Sequence, residues 1–170
     1  MKIAMSGILA EFSLEQLTKE AELIVEAHVT APAIESAVVS LGPTDFRLAF
    51  TDNKVRVDNV LKAPPTQTPR EILVRTLGGV TAEFEVSVDN EARLSQREDV
   101  VLFLSRDFPV PLPPNVFTVM GGYQGKFSVF GTSQARFVAR MQAEKELELT
   151  NLRRTIQEHL GYKQLAATRW

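Results

Sequence analysis

The chain has no cysteine among its 170 residues. This excludes disulfides, thiolate nucleophiles and cysteine-ligated metals together. Histidine is nearly as scarce: His28 and His159 lie on separate segments, with no ligand partner at metal-binding spacing beside either. No metal and no cofactor are therefore expected. No apolar run approaches the ~20 residues that a membrane-spanning helix requires, so no transmembrane segment is expected. Basic blocks are missing as well. The 19 Lys and Arg residues face 21 Asp and Glu for a net charge of −2, without the basic stripe that displaces counterions from phosphates. Nucleic acid is not an expected partner. The opening MKIAMSGILA is interrupted by Glu11 before it reaches the length of a leader's apolar stretch, so no intact signal peptide is expected.

What is present is ordinary for a globular chain: 44% apolar and 24% charged residues. A chain of this length can bury roughly 70% of the surface it exposes when unfolded. It needs neither metal nor disulfide to fold. The organisation expected is a flexible N-terminal segment over 1–12, a single β-barrel domain with flanking helices over 13–162, and a C-terminal tail over 163–170.

The pattern begins with a capping box, Ser13-Leu14-Glu15-Gln16, opening a short helix that ends near Glu22. Leu23 to Thr30 is β-branched and reads as the first strand, closed by Pro32. Phe46 to Phe50 and Lys54 to Leu61 are the next extended pieces. The alternation of Val55 and Val57 with Arg56 and Asp58 breaks at Val60-Leu61, which signals a bulge or a strand end. Pro64, Pro65 and Pro69 mark a loop. Glu71 to Leu77 is extended again, Gly78-Gly79 is a turn, and Phe84, Val86 and Val88 alternate with polar residues. Val100 to Leu104 (VVLFL) has no polar face and reads as a fully buried central strand. Asp107 to Asn115 is a proline-rich loop. Val116 to Met120, Gln124 to Phe130 and Ala135 to Arg140 read as strands joined by turns at Gly121-Gly122 and Gly131-Thr132-Ser133. Thr150 is placed to cap a last helix with Leu152, Ile156 and Leu160 on one face, and Gly161 to stop it.

About eight short strands without strand–helix alternation predict a mainly β fold. The specific expectation is a small Greek-key, OB-like barrel with an N-terminal and a C-terminal helix. Its interior is expected to hold Phe84, Val86, Phe103 and Phe127.

No segment carries a catalytic signature, and no catalytic residues are assigned. A Gly-x-Ser-x-Gly elbow is absent. The carboxylate pairs Glu83/Glu85 and Glu144/Glu146/Glu148 sit in charge-rich stretches that read as solvated faces. Met120 and Phe127 stand where a phosphate loop needs Gly and Ser or Thr, and a strand follows instead of a helix. The same segment, Gly121-Gly122-Tyr123-Gln124-Gly125-Lys126, is nevertheless the candidate binding patch. Its glycines permit close backbone approach, Tyr123 offers a planar contact surface and Lys126 a charge. The P-x-x-P spacing from Pro111 to Pro114 reads as a rigid spacer.

Several segments in order resemble a group of bacterial exported proteins. They are Leu14-Glu15-Gln16-Leu17 leading into Ala21-Glu22-Leu23-Ile24-Val25, then Phe46 to Lys62, Gly78-Gly79, Val100 to Leu104, and Gly121-Gly122-Tyr123-Gln124-Gly125-Lys126-Phe127. The resemblance implies a barrel similar to that of netrin modules and the tissue inhibitors of metalloproteinases (TIMPs), and an extracytoplasmic, periplasmic or secreted location. Those inhibitors grip the protease metal through an N-terminal cysteine, which this chain lacks. Gln96-Arg97-Glu98 also replaces the glycine-containing turn that the group places before its buried strand. Inhibition is therefore not carried over.

The function expected is a non-catalytic binding or interaction module for a protein or a small ligand. The alternatives are a hydrolase using carboxylates or a histidine, and a structural component that forms a homo-oligomer through its C-terminal helix.

Overall fold

The order of elements is β1 (Lys2–Met5), α1 (Leu14–Glu20), β2 (Leu23–Val29), β3 (Val39–Leu41), β4 (Phe46–Leu48), β5 (Phe50–Lys62), β6 (Glu71–Leu77), β7 (Gly79–Val80), β8 (Glu85–Val88), β9 (Asp99–Ser105), β10 (Val116–Val119), a 3-10 turn (Gly122–Gly125), β11 (Lys126–Gly131), β12 (Arg136–Ala139), β13 (Leu147–Glu148) and α2 (Leu149–His159). The structure is a computed structural model that describes residues 2–5, 10–31, 39–41, 46–65, 69–140 and 146–161. Five strands close into a barrel in the order β9-β2-β5-β6-β10, with β10 returning to β9. All neighbours are antiparallel except β6 and β10, which run parallel. Counted along the chain, these strands follow the order 1-2-3-5-4-1, that of an OB-like Greek-key barrel. The expected mainly β fold with one helix towards each end is therefore observed.

The all-apolar run in β9 has a simple cause: both of its faces are covered. Val100, Leu102 and Leu104 point into the barrel beside Leu23, Val25, Val29, Val55 and Val74. Val101 and Phe103 point outward into a second core, where α1 and α2 lay Leu17, Leu149, Leu152 and Ile156 over the barrel wall. Strand β2 is divided the same way, with Ile24 in the outer core. Each such buried aliphatic side chain contributes roughly 1.5–3 kcal/mol relative to exposure.

Phe103 and Phe127, expected inside the barrel, belong to the outer core, and Phe84 and Val86 form a small separate cluster with Ala49. The interior is filled by leucine, valine and isoleucine with Phe117. Phenylalanine content alone could not reveal this, because a β strand with two buried faces hides which parity points inward.

The break in alternation near Leu61 is a bulge. Val25 pairs with Val60 and Ile24 with Lys62, so Leu61 is extra; a second shift leaves Asp58 extra. The bulges re-aim side chains. Leu61 packs into the outer core, and Lys62 donates to the carbonyl oxygens of Thr18 and Lys19 at 2.9 Å each, capping the end of α1. Phe46–Phe50 and Lys54–Leu61, expected as two pieces, divide elsewhere: Ala49 separates a short β4 from a continuous 13-residue β5.

Other expectations shift at their ends. The capping box is formed: the Gln16 N–H donates to Ser13 Oγ at 3.1 Å, and the Ser13 N–H to Gln16 Oε1 at 2.9 Å. Thr150 does not cap α2. Burial of Leu149 draws the helix start back, leaving Glu148 at the N-cap without a side-chain bond. Gly161 does stop it, at φ 78°. Within the segment expected to be a flexible start, residues 2–5 pair in parallel with β8. Strands β7 and β13, two residues each, are too short to show a period. Glu144 and the tail over 163–170 lie outside the described residues.

Candidate functional site

The candidate patch 121–126 is divided by the fold. Gly121 adopts φ 66° and opens the 3-10 turn, in the left-handed region that favours glycine. Gln124, expected to start a strand, lies in that turn and is buried. Its Nε2 donates to the Ala10 carbonyl and its Oε1 accepts from the Phe12 N–H, both at 2.8 Å, so it clasps the chain ahead of α1. A Cβ on Gly125 would collide with the Met120 carbonyl oxygen and the Val119 side chain. Lys126 pairs with Glu98 Oε1 at 2.8 Å and also donates to the Arg93 carbonyl. The Tyr123 N–H donates to the Asn90 carbonyl at 3.0 Å. Gln124, Gly125 and Lys126 thus hold structure, while Gly121 and Gly122 reach a cavity wall.

That cavity, about 260 Å³, opens at one end of the barrel, where the segment after β8 meets the start of the proline-rich loop and the end of β10. Asp89, Glu91, Asp107, Phe108 and Thr118 line it beside the two glycines. An adjoining cavity of about 240 Å³ shares Leu77, Val88 and Glu91, and adds Asn53, Thr76 and Arg93. Glu91 therefore stands between the two. Its Oε2 accepts from the Leu77 N–H at 3.1 Å and its Oε1 from the Ala92 N–H at 3.0 Å. Burial pushes its carboxyl above the ordinary glutamate range, and the two backbone donors only partly oppose that.

The other sheltered carboxylates have cations. Arg153 Nε donates to Glu26 Oε2 at 2.8 Å, Arg75 grips Asp52 through two bonds of 2.7 and 2.9 Å, and Lys126 holds Glu98. Burial raises the Glu98 carboxyl, but hydrogen bonds from Lys126, Ser128 and the Ser95 N–H outweigh it and leave a net lowering. Among the described residues, Glu91 has no cation partner.

On the outer wall, the His28 Nδ1–H donates to Asp99 Oδ1 at 2.7 Å, and Arg136 donates to Asp99 Oδ2 at 2.8 Å. The His28 bond, against some burial and with help from Arg136, holds the Asp99 carboxyl below its usual range. Among the described residues, no serine or threonine hydroxyl bonds to the His28 ring, and no group of three or more His, Asp or Glu converges as a metal site.

The outward face of β5 and β6 carries Lys54 paired with Glu71 at 3.3 Å, Arg56 with Asp58 at 2.8 Å, and Arg75 with Asp52. These internal pairings neutralise the cations that an oligonucleotide would require on this face. The proline-rich loop is tied down by Arg106, which donates to the carbonyls of Leu112, Pro113 and Pro114. A larger groove of about 570 Å³ runs beside the start of α1, between Phe12, Leu14, Phe127 and Val138, and Glu11, Gln16 and Arg140 also line it.

Sequence reasoning located Gly121 and Gly122 but not Glu91, Thr118 or Phe108. The local signal was slight: Asp89-Asn90-Glu91 breaks the alternation after β8, with Asn90 at φ 64°. Comparison with known proteins finds no matching family model and no matching curated protein. Among the described residues, no helix is long and apolar enough to cross a membrane.

Proposed function

We propose that this protein is a non-catalytic binding module, working outside the cytoplasm, that takes a protein or small ligand at the glycine-bearing end of its barrel. One observation carries the reading. The barrel interior holds a core of mostly aliphatic side chains, and at that end two adjoining concavities surround a carboxylate that has no cation among the described residues. Binding sites are typically preformed concavities with a few placed polar groups. The extracytoplasmic location rests on the resemblance to bacterial exported proteins. A homo-oligomer through α2 would have to use the helix's polar side, because Leu149, Leu152 and Ile156 are buried against the chain's own barrel.

Solvent mapping tests the reading. In NMR spectra of the labelled chain titrated with 2-propanol and acetonitrile, amide shifts should gather at 88–91, 107–109 and 118–122. Shifts spread evenly over the surface would overturn it.

The His28–Asp99 pair favours a hydrolase as the second reading, because an oriented imidazole is half of a general-base device. Arg136 shares the same carboxylate on the outer wall, which instead supports a structural ion cluster. If His28→Ala abolished a measurable p-nitrophenyl acetate hydrolysis, the enzyme reading would prevail.

A further inference from the structure

We propose that the cavity bounded by Glu91, Thr118 and Phe108 binds an alkylammonium group, with the Glu91 carboxylate as its counter-ion. The inference rests on the binding-module reading and adds the chemistry of the ligand. Four observations converge. Glu91 is sheltered, fixed by two backbone donors and without a cation among the described residues, whereas Glu26, Asp52 and Glu98 each hold one. Thr118 is only 6% exposed, yet its hydroxyl has no hydrogen-bond partner among the described residues. Phe117 and Val119 point into the barrel, so Thr118 between them faces outward onto the cavity wall. A buried hydroxyl without a partner is costly and marks a place that a donor or acceptor can satisfy. Phe108 supplies an aromatic wall and meets Phe50 edge-on, and the guanidinium over Phe50, that of Arg75, is neutralised by Asp52.

Charge selects this cavity over its neighbour. The neighbour has Arg93 on its wall, whereas Asp89, Glu91 and Asp107 line this one and no cation does. An ammonium offers N–H donors to the second lone pairs of Glu91 and to the Thr118 oxygen, while its stem lies along Leu77 and Phe108. At about 260 Å³ the space lies below the range for drug-sized ligands, so it fits a short alkyl chain. A free amine and a lysine side chain present the same group.

The test titrates the labelled full chain with n-butylammonium chloride, n-butanol, calcium chloride and the peptide acetyl-Gly-Lys-Gly-amide. The proposal expects n-butylammonium to shift amides at 89–91, 107–109 and 118–122, with n-butanol binding at least about tenfold more weakly. It also expects the ammonium to lower the Glu91 carboxyl titration midpoint, since a bound cation favours the charged form. Glu91→Gln should weaken n-butylammonium binding at least about tenfold. Should that variant not fold, Thr118→Val and the midpoint shift in the native chain carry the same test. Stronger binding of the peptide points to a protein lysine as the source, and stronger binding of the free amine to a small metabolite. Equal binding of n-butanol and n-butylammonium would leave a binding module but overturn the cation assignment. Calcium binding without any ammonium effect would also overturn it. If no probe gathers at the cavity, both this proposal and the binding-module reading fail.

Discussion

Glu26 and Arg153 form one ion pair, yet their removal should not be equivalent. The Glu26 side chain is 11% exposed and the Arg153 side chain 40%. Without its partner, Arg153 can turn its guanidinium to water, whereas Glu26 keeps, among the described residues, only the Asn59 amide at 2.8 Å. Arg153→Gln should therefore cost about 3 kcal/mol, near the lower bound for orphaning a buried charge. Glu26→Gln should cost about 1 kcal/mol, the scale of a more exposed pair. Urea unfolding of both variants measures the asymmetry, and equal losses would show that Glu26 reaches solvent after all. The capping bonds of Ser13 and Gln16 were legible at this scale because they are local. The pairing of Glu26 with Arg153 was not, since the partners lie 127 positions apart and neither has a local cue.

Helix α2 is held by one face. Leu152 and Ile156 have no exposure, and they share the outer core with Val101, Phe103 and Val138 of the barrel wall. Leu152→Ala should destabilise the chain by about 3 kcal/mol through lost burial and the cavity left behind. Hydrogen exchange should show α2 opening first, with β9 protected longest, because β9 is covered from both sides. Faster exchange in β9 than in α2 would contradict this layering. The helical period of Leu152, Ile156 and Leu160 fixed which face is apolar. Whether that face meets a second subunit or the chain's own barrel depends on where β12 and β13 deliver the helix, a matter of topology.

Across the whole molecule, acid acts on two kinds of carboxyl with opposite sign. Asp99 and Glu98 release their protons more readily in the fold than in the open chain. Their contribution is complete above the unfolded carboxylate range of about 4 and is lost as the pH falls through their lowered values. Glu91 is shifted upward, so its charge opposes folding as the pH rises past that range, fully so above its own raised value. As the pH drops below about 4, the urea midpoint should therefore fall, and fall less in Asp99→Asn. An unchanged pH slope in that variant would mean that His28 and Arg136 give Asp99 no net stabilisation in solution.

The sequence by itself determined the strand-rich class, the positions of most strands, both helices and the break in alternation near Leu61. Each depends on a period or a cap written within a few adjacent residues. Only the tertiary structure decided that β6 and β10 close the barrel, that Phe103 and Phe127 lie outside it, and that Gln124 and Lys126 serve the scaffold. It alone brought Glu91, Phe108 and Thr118 around one cavity. These are contacts between residues far apart along the chain. Barrel closure fixes them, and no local pattern encodes which distant partner a side chain meets.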